Sequence, residues 1–408
     1  MPTEHLKFVV VGSVDHGKST LIGRFLYDTG SLPEAQLDTI RQLCKDSDER
    51  VEFAFVLDHL EEERSRHITI DTAQTFFSSE SRDYVIIDAP GHKEFLKNMI
   101  TGASQASAAL LLLDVAEGMR EQTRRHAYML SLLGIKQLVL VLNKMDQVDF
   151  GQEVFEQASG QMRELLGRLA LDHLAVIPAS ALEGDNLVKR SERMGWYDGP
   201  TVIEALDLLT PDVVDESLPL RLPVQDIYEI DGEKVAVGRV EAGSVQVGQT
   251  VRLCPEDRLV ELAGLRKFEG PVPSASAGES IGFTLAGDGQ LRRGLTLCDP
   301  GDPPEISRTL LANVFWMAPQ PLARGERLLL RLGTQEAPVT AERIANRMNA
   351  GTLEIIDPDA DELADTEVAE VTLAAEGSIA HDRFAAIAEM GRLVLIRGPD
   401  IVAGGILP

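Results

Sequence analysis

The chain has 408 residues, 44% of them hydrophobic, and a formal charge of −26 from 65 acidic against 39 basic residues. That length exceeds one comfortable core and predicts two or three domains, while the acidic balance argues against a protein whose main business is non-specific adhesion to nucleic acid or anionic membrane, though not against one local basic contact. Cys44, Cys254 and Cys298 fit no metal-ligand spacing and read as reduced packing residues. There is no leader in MPTEHLKF and no window of about 18 apolar residues, so the expected setting is cytoplasmic, with no membrane.

The first predicted element is a buried strand, FVVV at 8–11, which runs straight into GSVDHGKST. Its spacing, G-x-x-x-x-G-K-S, suits a phosphate cradle built from Gly12, Ser13, Val14, Asp15, His16, Gly17, Lys18, Ser19 and Thr20. The glycines let backbone N–H groups turn inward, Lys18 brings charge to the β- and γ-phosphates, and Ser19 can ligate Mg2+. The helix opened by STLIGRFLY then points its N-terminus at the same anion. Next comes PEAQLDTIRQLCKD, with Leu37, Ile40, Leu43 and Cys44 at helical spacing, followed by HITID at 67–71. Thr69 is the candidate second Mg2+ ligand, engaged only when a third phosphate is present, which makes this segment a switch.

Four more apolar runs follow: YVIID at 84–88, ALLLLD at 109–114, LVLVLN at 138–143 and AVIPAS at 175–180. Runs without polar alternation, separated by helical stretches, predict a parallel sheet wrapped by helices, with ligands at the strand ends. Asp88 is placed to hold Mg2+ through water, Pro90 and Gly91 to bring a bare N–H to the γ-phosphate, and His92 to position a hydrolytic water. In NKMD, the Asp146 carboxylate can accept the paired N1–H and N2–H donors of guanine, which adenine does not present. Asn143 would tie this loop to the phosphate loop, the Lys144 stem would pack along the base, and Ser180, Ala181 and Leu182 would offer a backbone N–H to the guanine oxygen. His16 has no assigned role, and His126 in QTRRHAYML reads as structural.

Around LTPDVVDESLPLRLPV the periodicity changes, and Pro211, Pro219 and Pro223 punctuate an expected linker. Beyond it, short alternating strands with glycine turns predict two small barrels, separated by CDPGDPPEIS at 298–307. The expected fold is thus an α/β P-loop GTPase domain, a parallel-rich sheet with helices on both faces, followed by two small all-β barrel domains. The expected boundaries are 1–213, 214–300 and 301–408.

These motifs, with DAPGHKEFLKNMITGAS, SALEGDN and WYDGPTVIEALD, resemble the translation-factor class of GTPases over nearly the whole chain. The resemblance implies GTP and GDP as ligands with Mg2+. Within that class, LIGRFLYDTGSLP, SALEGDNLVKRSERMGWYDGP and the last domain look most like the large subunit of sulfate adenylyltransferase. In contrast, LPLRLPVQDIYEIDGEKVAVGRVEAGSVQVGQTV and DAPGHKEFLKNMITG look more like elongation factor 1-alpha.

The first resemblance is preferred because the last domain is the partner-specific part of translation factors and here departs from their tRNA-binding pattern. It implies that GTP hydrolysis here is coupled to synthesis of adenylyl sulfate by a separate ATP-binding small subunit. The alternative is an elongation factor 1-alpha or Tu-like GTPase that delivers aminoacyl-tRNA to the ribosome. One departure stands out: the family segment R-G-I-T-I is RHITI here, with His67 in the glycine position. The first expectation is a tolerated substitution; the alternative is that the side chain alters switch closure and with it basal hydrolysis.

Overall fold

In the computed structural model, the described residues are 6–32, 73–88, 106–210, 217–230, 232–287 and 290–408. They fall into two compact units, one of the described residues through 210 together with 350–352, the other of those from 217 through 349 and from 353 onward.

The first unit is built on a six-stranded sheet of β1 (Leu6–Gly12), β2 (Ala73–Ser78), β3 (Asp83–Asp88), β4 (Ala108–Asp114), β5 (Gln137–Asn143) and β6 (Ala175–Pro178). The strand order is β2-β3-β1-β4-β5-β6, and every pairing is parallel except the edge pair β2–β3. All seven residues of β4 are buried, as the unbroken apolar run requires of a strand covered on both faces. Among the described residues this unit has four α-helices, α1 (Lys18–Asp28), α2 (Glu121–Leu132), α3 (Gln152–Arg168) and α4 (Val202–Asp207).

On one face Phe8, Val10, Leu110, Leu112, Val139 and Val141 pack with Ile22 and Phe25 of α1 and with Val202 and Leu206 of α4. The alternating residues Val9, Val11, Leu111 and Leu140 are equally buried, on the opposite side of the pleat. There α2 lies against β1 and β4, and α3 against β5. Since β1 sits between β3 and β4, the sheet changes winding direction beside its first strand. In an open α/β sheet a crevice forms at that point, outside the carboxyl ends.

The second unit holds two β structures with separate cores. In the first are β7 (Arg221–Pro223), β8 (Asp226–Ile230), β9 (Glu233–Arg239), β10 (Ser244–Gln246), β11 (Thr250–Cys254), β12 (Arg258–Lys267), β13 (Gly270–Val272), β14 (Ser274–Ser276), β15 (Ser280–Leu285) and β16 (Thr296–Cys298). The main sheet runs β7-β16-β11-β12-β15-β9-β8 around Leu222, Val251, Leu253, Phe283 and Leu297. It curls back on itself, because Gln225 N, just past β7, donates to Val237 O of β9 at 2.8 Å.

The second β structure contains β17 (Glu305–Trp316), β18 (Leu322–Ala323), β19 (Arg327–Leu332), β20 (Gln335–Asn349), β21 (Glu354–Ala360), β22 (Glu362–Leu363), β23 (Glu367–His381), β24 (Arg392–Arg397) and β25 (Asp400–Ile406), with a short helix α5 (Ala388–Gly391). The order β19-β24-β25-β17-β23-β20 closes through a β19–β20 pairing into a six-stranded barrel, with β21 added to β20. Period-two patterning is plain in β19, where Leu328, Leu330 and Leu332 are buried and Arg327 and Arg331 exposed. The α/β domain followed by two all-β domains is therefore the fold the sequence leads one to expect.

Two local expectations need correction. The proline-punctuated linker was expected to run through Pro223, yet Arg221–Pro223 is a strand, since Arg221 is pulled inside by specific partners. Its guanidinium is 1% exposed, donates to both oxygens of Asp382 at 2.7 and 2.9 Å, and reaches the carbonyls of Leu220 and Asp302. The break at 298–307 is also shorter than expected, because Cys298 ends β16 and Glu305 already begins β17. Cys254 and Cys298 are buried free thiols, as expected; Cys44 lies outside the described residues.

Candidate nucleotide-binding site

The loop after β1 is shaped by two glycines that no other residue replaces freely. A Cβ on Gly12 would lie 2.9 Å from Leu112 O, so the loop's close approach to β4 needs a bare backbone. Gly17 adopts φ 88°, and its Cβ would fall 2.5 Å from Asn143 Nδ2. Gly17 is also the N-cap of α1, which has no side-chain cap and no acidic residue in its first turn. The opening N–H groups of that helix thus have neither a side-chain cap nor an acid of their own turn, and the helix dipole makes the place attractive to phosphate.

Lys18 is 8% exposed and curls back over the loop, donating to Gly12 O at 2.8 Å and Ser13 O at 3.0 Å. Burial lowers its pKa to about 8, against the pull of Asp88 and Asp15. A cation stripped of water in this way is matched to an incoming polyanion. Asp15 takes a positive φ of 65°. His16, left without a role by the sequence, anchors the loop from below. It is fully buried, with Nδ1 3.1 Å from Leu112 O and Nε2 3.8 Å from Glu117 Oε2, and burial lowers its pKa. His126 is likewise fully buried, in agreement with a structural role.

At the base end, Asn143 closes β5 and is 1% exposed. Its Nδ2 donates to His16 O at 2.8 Å, and its Oδ1 accepts from Ala181 N at 2.8 Å. One side chain thus ties the phosphate loop, the end of β5 and the 180–182 loop together. Ser180 Oγ donates to Asp146 Oδ1 at 2.5 Å, fixing the carboxylate and leaving its other oxygen for a ligand. Ala181's N–H, being spent on Asn143, is not the open donor of that loop. Among the described residues, no acceptor meets the N–H of Leu182, whose carbonyl accepts from Arg24 at 3.1 Å.

The sequence reading missed one participant. Asp114 ends β4 at 2% exposure, and its Oδ2 lies 2.8 Å from Lys144 Nζ. The available signal was a lone aspartate closing an otherwise apolar strand.

Mg2+ would fall between hard oxygen donors, which the ion prefers. Asp88 closes β3 at 6% exposure, in register with Val10 of β1, and Ser19 stands in the first turn of α1. Among the described residues no three His, Cys, Asp or Glu side chains form a metal cluster by themselves. Thr69, Pro90, Gly91, His92, His67 and the Leu37–Ile40 stretch lie outside the described residues.

Three family comparisons match almost the whole chain: the Elongation factor Tu GTP binding domain over residues 3–212, Elongation factor Tu domain 2 over 233–298, and the GTP-eEF1A C-terminal domain-like family over 309–407. Elongation factor 1-alpha of Pyrococcus abyssi (strain GE5 / Orsay) is 38% identical over 423 residues, covering 100% of this chain and 99% of the relative. The elongation factor 1-alpha of Methanopyrus kandleri is 37% identical (99% and 97% covered), and that of Nanoarchaeum equitans 36% (100% and 97%).

The expectation of a sulfate adenylyltransferase subunit, with its small partner, is overturned by these matches. It rested chiefly on the last domain departing from the translation-factor pattern. That domain is itself matched over 309–407 by the elongation-factor type, and these full-length relatives are elongation factors.

Proposed function

The chain belongs to the elongation factor Tu family of GTP-binding proteins, and from that premise we propose that it is a translation GTPase that carries aminoacyl-tRNA to the ribosome. It is a GTPase that takes GTP and GDP with Mg2+. The observation that carries the finer reading is the similarity to elongation factor 1-alpha across both β domains as well as the nucleotide domain. Its partners on this reading are charged tRNA and the ribosome, and its setting is the cytoplasm. No helix among the described residues is long and apolar enough to cross a membrane. The three-domain division at 1–213, 214–300 and 301–408 is part of the same proposal, supported by two separate cores in the second unit.

On this reading the site residues divide the work between them, the roles of Thr69 and His92 resting on the sequence motifs alone. Gly12 through Thr20 enclose the phosphates, with Lys18 giving up its two carbonyl partners for phosphate oxygens. Ser19 and Asp88 hold Mg2+, with Thr69 joining when the γ-phosphate is present. Asp146, held by Ser180, reads the guanine edge, while Asn143 keeps base loop and phosphate loop in fixed relation. His92 orients the attacking water. Phosphoryl transfer gains most from positioning and charge stabilisation, so an orienting imidazole suffices where a strong base is unnecessary.

The test is protection of the ester bond in aminoacyl-tRNA. With GTP bound, the chain is expected to slow deacylation and to retain charged over uncharged tRNA in filter binding; with GDP, neither. Equal weak retention of charged and uncharged tRNA would refute the translation reading and leave the GTPase intact.

A further inference from the structure

Strands β4 and β5 end level with each other, Asp114 opposite Asn143 in register. Beyond them the two chains part, and almost everything that governs the parting converges on the Asp114 carboxylate. Its Oδ1 accepts from the backbone N–H groups of Ala116 at 2.9 Å and Glu117 at 3.2 Å, which folds the chain after β4 into a turn. Its Oδ2 meets Lys144 Nζ at 2.8 Å. Val115 N donates to Asn143 O at 3.0 Å, stitching the two exits together.

Lys144 itself stands at φ 65°, a left-handed conformation that launches the 3-10 turn Met145–Val148 carrying Asp146. A non-glycine residue keeps that conformation only where its surroundings hold it. The surroundings here are unequal: the carboxylate is 2% exposed, the lysine side chain 24%. A screened surface pair contributes little, whereas a buried carboxylate with one cationic partner ties that partner down.

We propose that Asp114 is a positioning residue for nucleotide recognition: by pinning the Lys144 ammonium while capping its own turn, it sets the direction of the Lys144 stem and hence the aim of Asp146. This rests on the reading of the Asn143–Asp146 loop as the guanine site. The base would lie along the Lys144 stem, so the geometry of the Asp146 carboxylate toward N1–H and N2–H depends on where that stem points. Phosphate contacts, made from the other loop, depend on it far less.

The experiment compares GDP with inosine diphosphate, which lacks the 2-amino group and has one fewer bond to Asp146 at stake. Dissociation constants of both are measured with Mg2+ on the full chain for wild type, Asp114→Asn, Lys144→Met and the double variant. Asparagine keeps an oxygen for the two turn amides and replaces the charged oxygen that faces Lys144 with a neutral NH2. Expected are a loss of about tenfold for GDP and about threefold for inosine diphosphate in Asp114→Asn, so the preference for GDP narrows. In the Lys144→Met background the same substitution is expected to add less than about twofold, since its partner is gone.

Equal losses for both nucleotides, equal losses in both backgrounds, or no loss at all would each overturn the role. Should Asp114→Asn fail to fold, Lys144→Met alone must narrow the GDP preference, and an unchanged preference there overturns it equally. A wild-type chain that holds neither nucleotide would defeat the guanine reading and this role with it. Tight wild-type binding with an indifferent Asp114→Asn defeats this role alone.

Discussion

Gly17→Ala isolates what the phosphate loop demands of its backbone. The residue sits at φ 88°, where an alanine costs about 1–2 kcal/mol relative to glycine. Its new Cβ would also lie 2.5 Å from Asn143 Nδ2, so that side chain must move and its bond to His16 O is lost, about 1 kcal/mol more. Together these amount to about 2–3 kcal/mol, or about 30- to 150-fold in nucleotide affinity if the loop relaxes away from its binding shape. Titration of a fluorescent GDP analogue reads the affinity, and thermal melting of the nucleotide-free protein reads any strain retained in the fold.

Gly30→Ala is the control. Gly30 also has a positive φ, 68°, but a Cβ there meets nothing within 4 Å. It should lower stability by the backbone cost alone and leave GDP affinity untouched. A Gly17→Ala protein that binds GDP as tightly as wild type and melts at the same temperature would refute the argument from close approach.

Three further outcomes follow from the same geometry. Asp146→Asn replaces an acceptor with a group that can donate, so GDP affinity should fall by more than about 100-fold while xanthosine diphosphate, with a carbonyl at C2, gains binding; competition between the two diphosphates measures it. His126 is fully buried with neither ring nitrogen hydrogen-bonded among the described residues, and burial, aided by Lys18, His16 and Arg125, depresses its pKa to about 3. The unfolded chain therefore binds a proton that the folded one refuses between about pH 6.5 and 3, and stability falls as pH drops through that window. His126→Leu should flatten this acid dependence in urea denaturation at pH 7 and pH 4.5, and an unchanged slope would contradict it. Asp382→Ala strands the Arg221 guanidinium without its anion and should cost about 3–5 kcal/mol, whereas Arg221→Met with Asp382→Leu recovers most of it; denaturant midpoints decide between the two outcomes.

How much of this was legible beforehand depended on how locally each feature is encoded. The strand runs at 8–11, 84–88, 109–114 and 138–143 lie inside β1, β3, β4 and β5, because a strand buried on both faces must be apolar at every position. The phosphate loop and Asn143 were legible for a related reason: backbone freedom at Gly12 and Gly17 and a short amide side chain have few substitutes there. What escaped notice was long-range pairing. Nothing near Arg221 in the chain tells of Asp382, 161 residues away, so a buried arginine strand passed for linker. Asp114 escaped for the same cause, its partner being thirty residues further along. The preference for sulfate activation failed differently: it weighed segments of the last domain by their departures from one pattern, where similarity across the full length carried more information.

The clamp at Asn143 has a consequence for ligands smaller than a whole nucleotide. On the proposed assignment of the loops, one amide splices the loop that would meet phosphate to the loops that would meet the base, and the site would act as a chelating receptor whose two halves are held at a fixed span. Pyrophosphate and guanosine, offered separately, would each forgo the high effective concentration that a covalent tether gives the second contact. Free phosphate in the cell is then a poor competitor however well it fits the loop, and so is guanosine. A site built this way would discriminate by the length of the molecule as well as by its two ends.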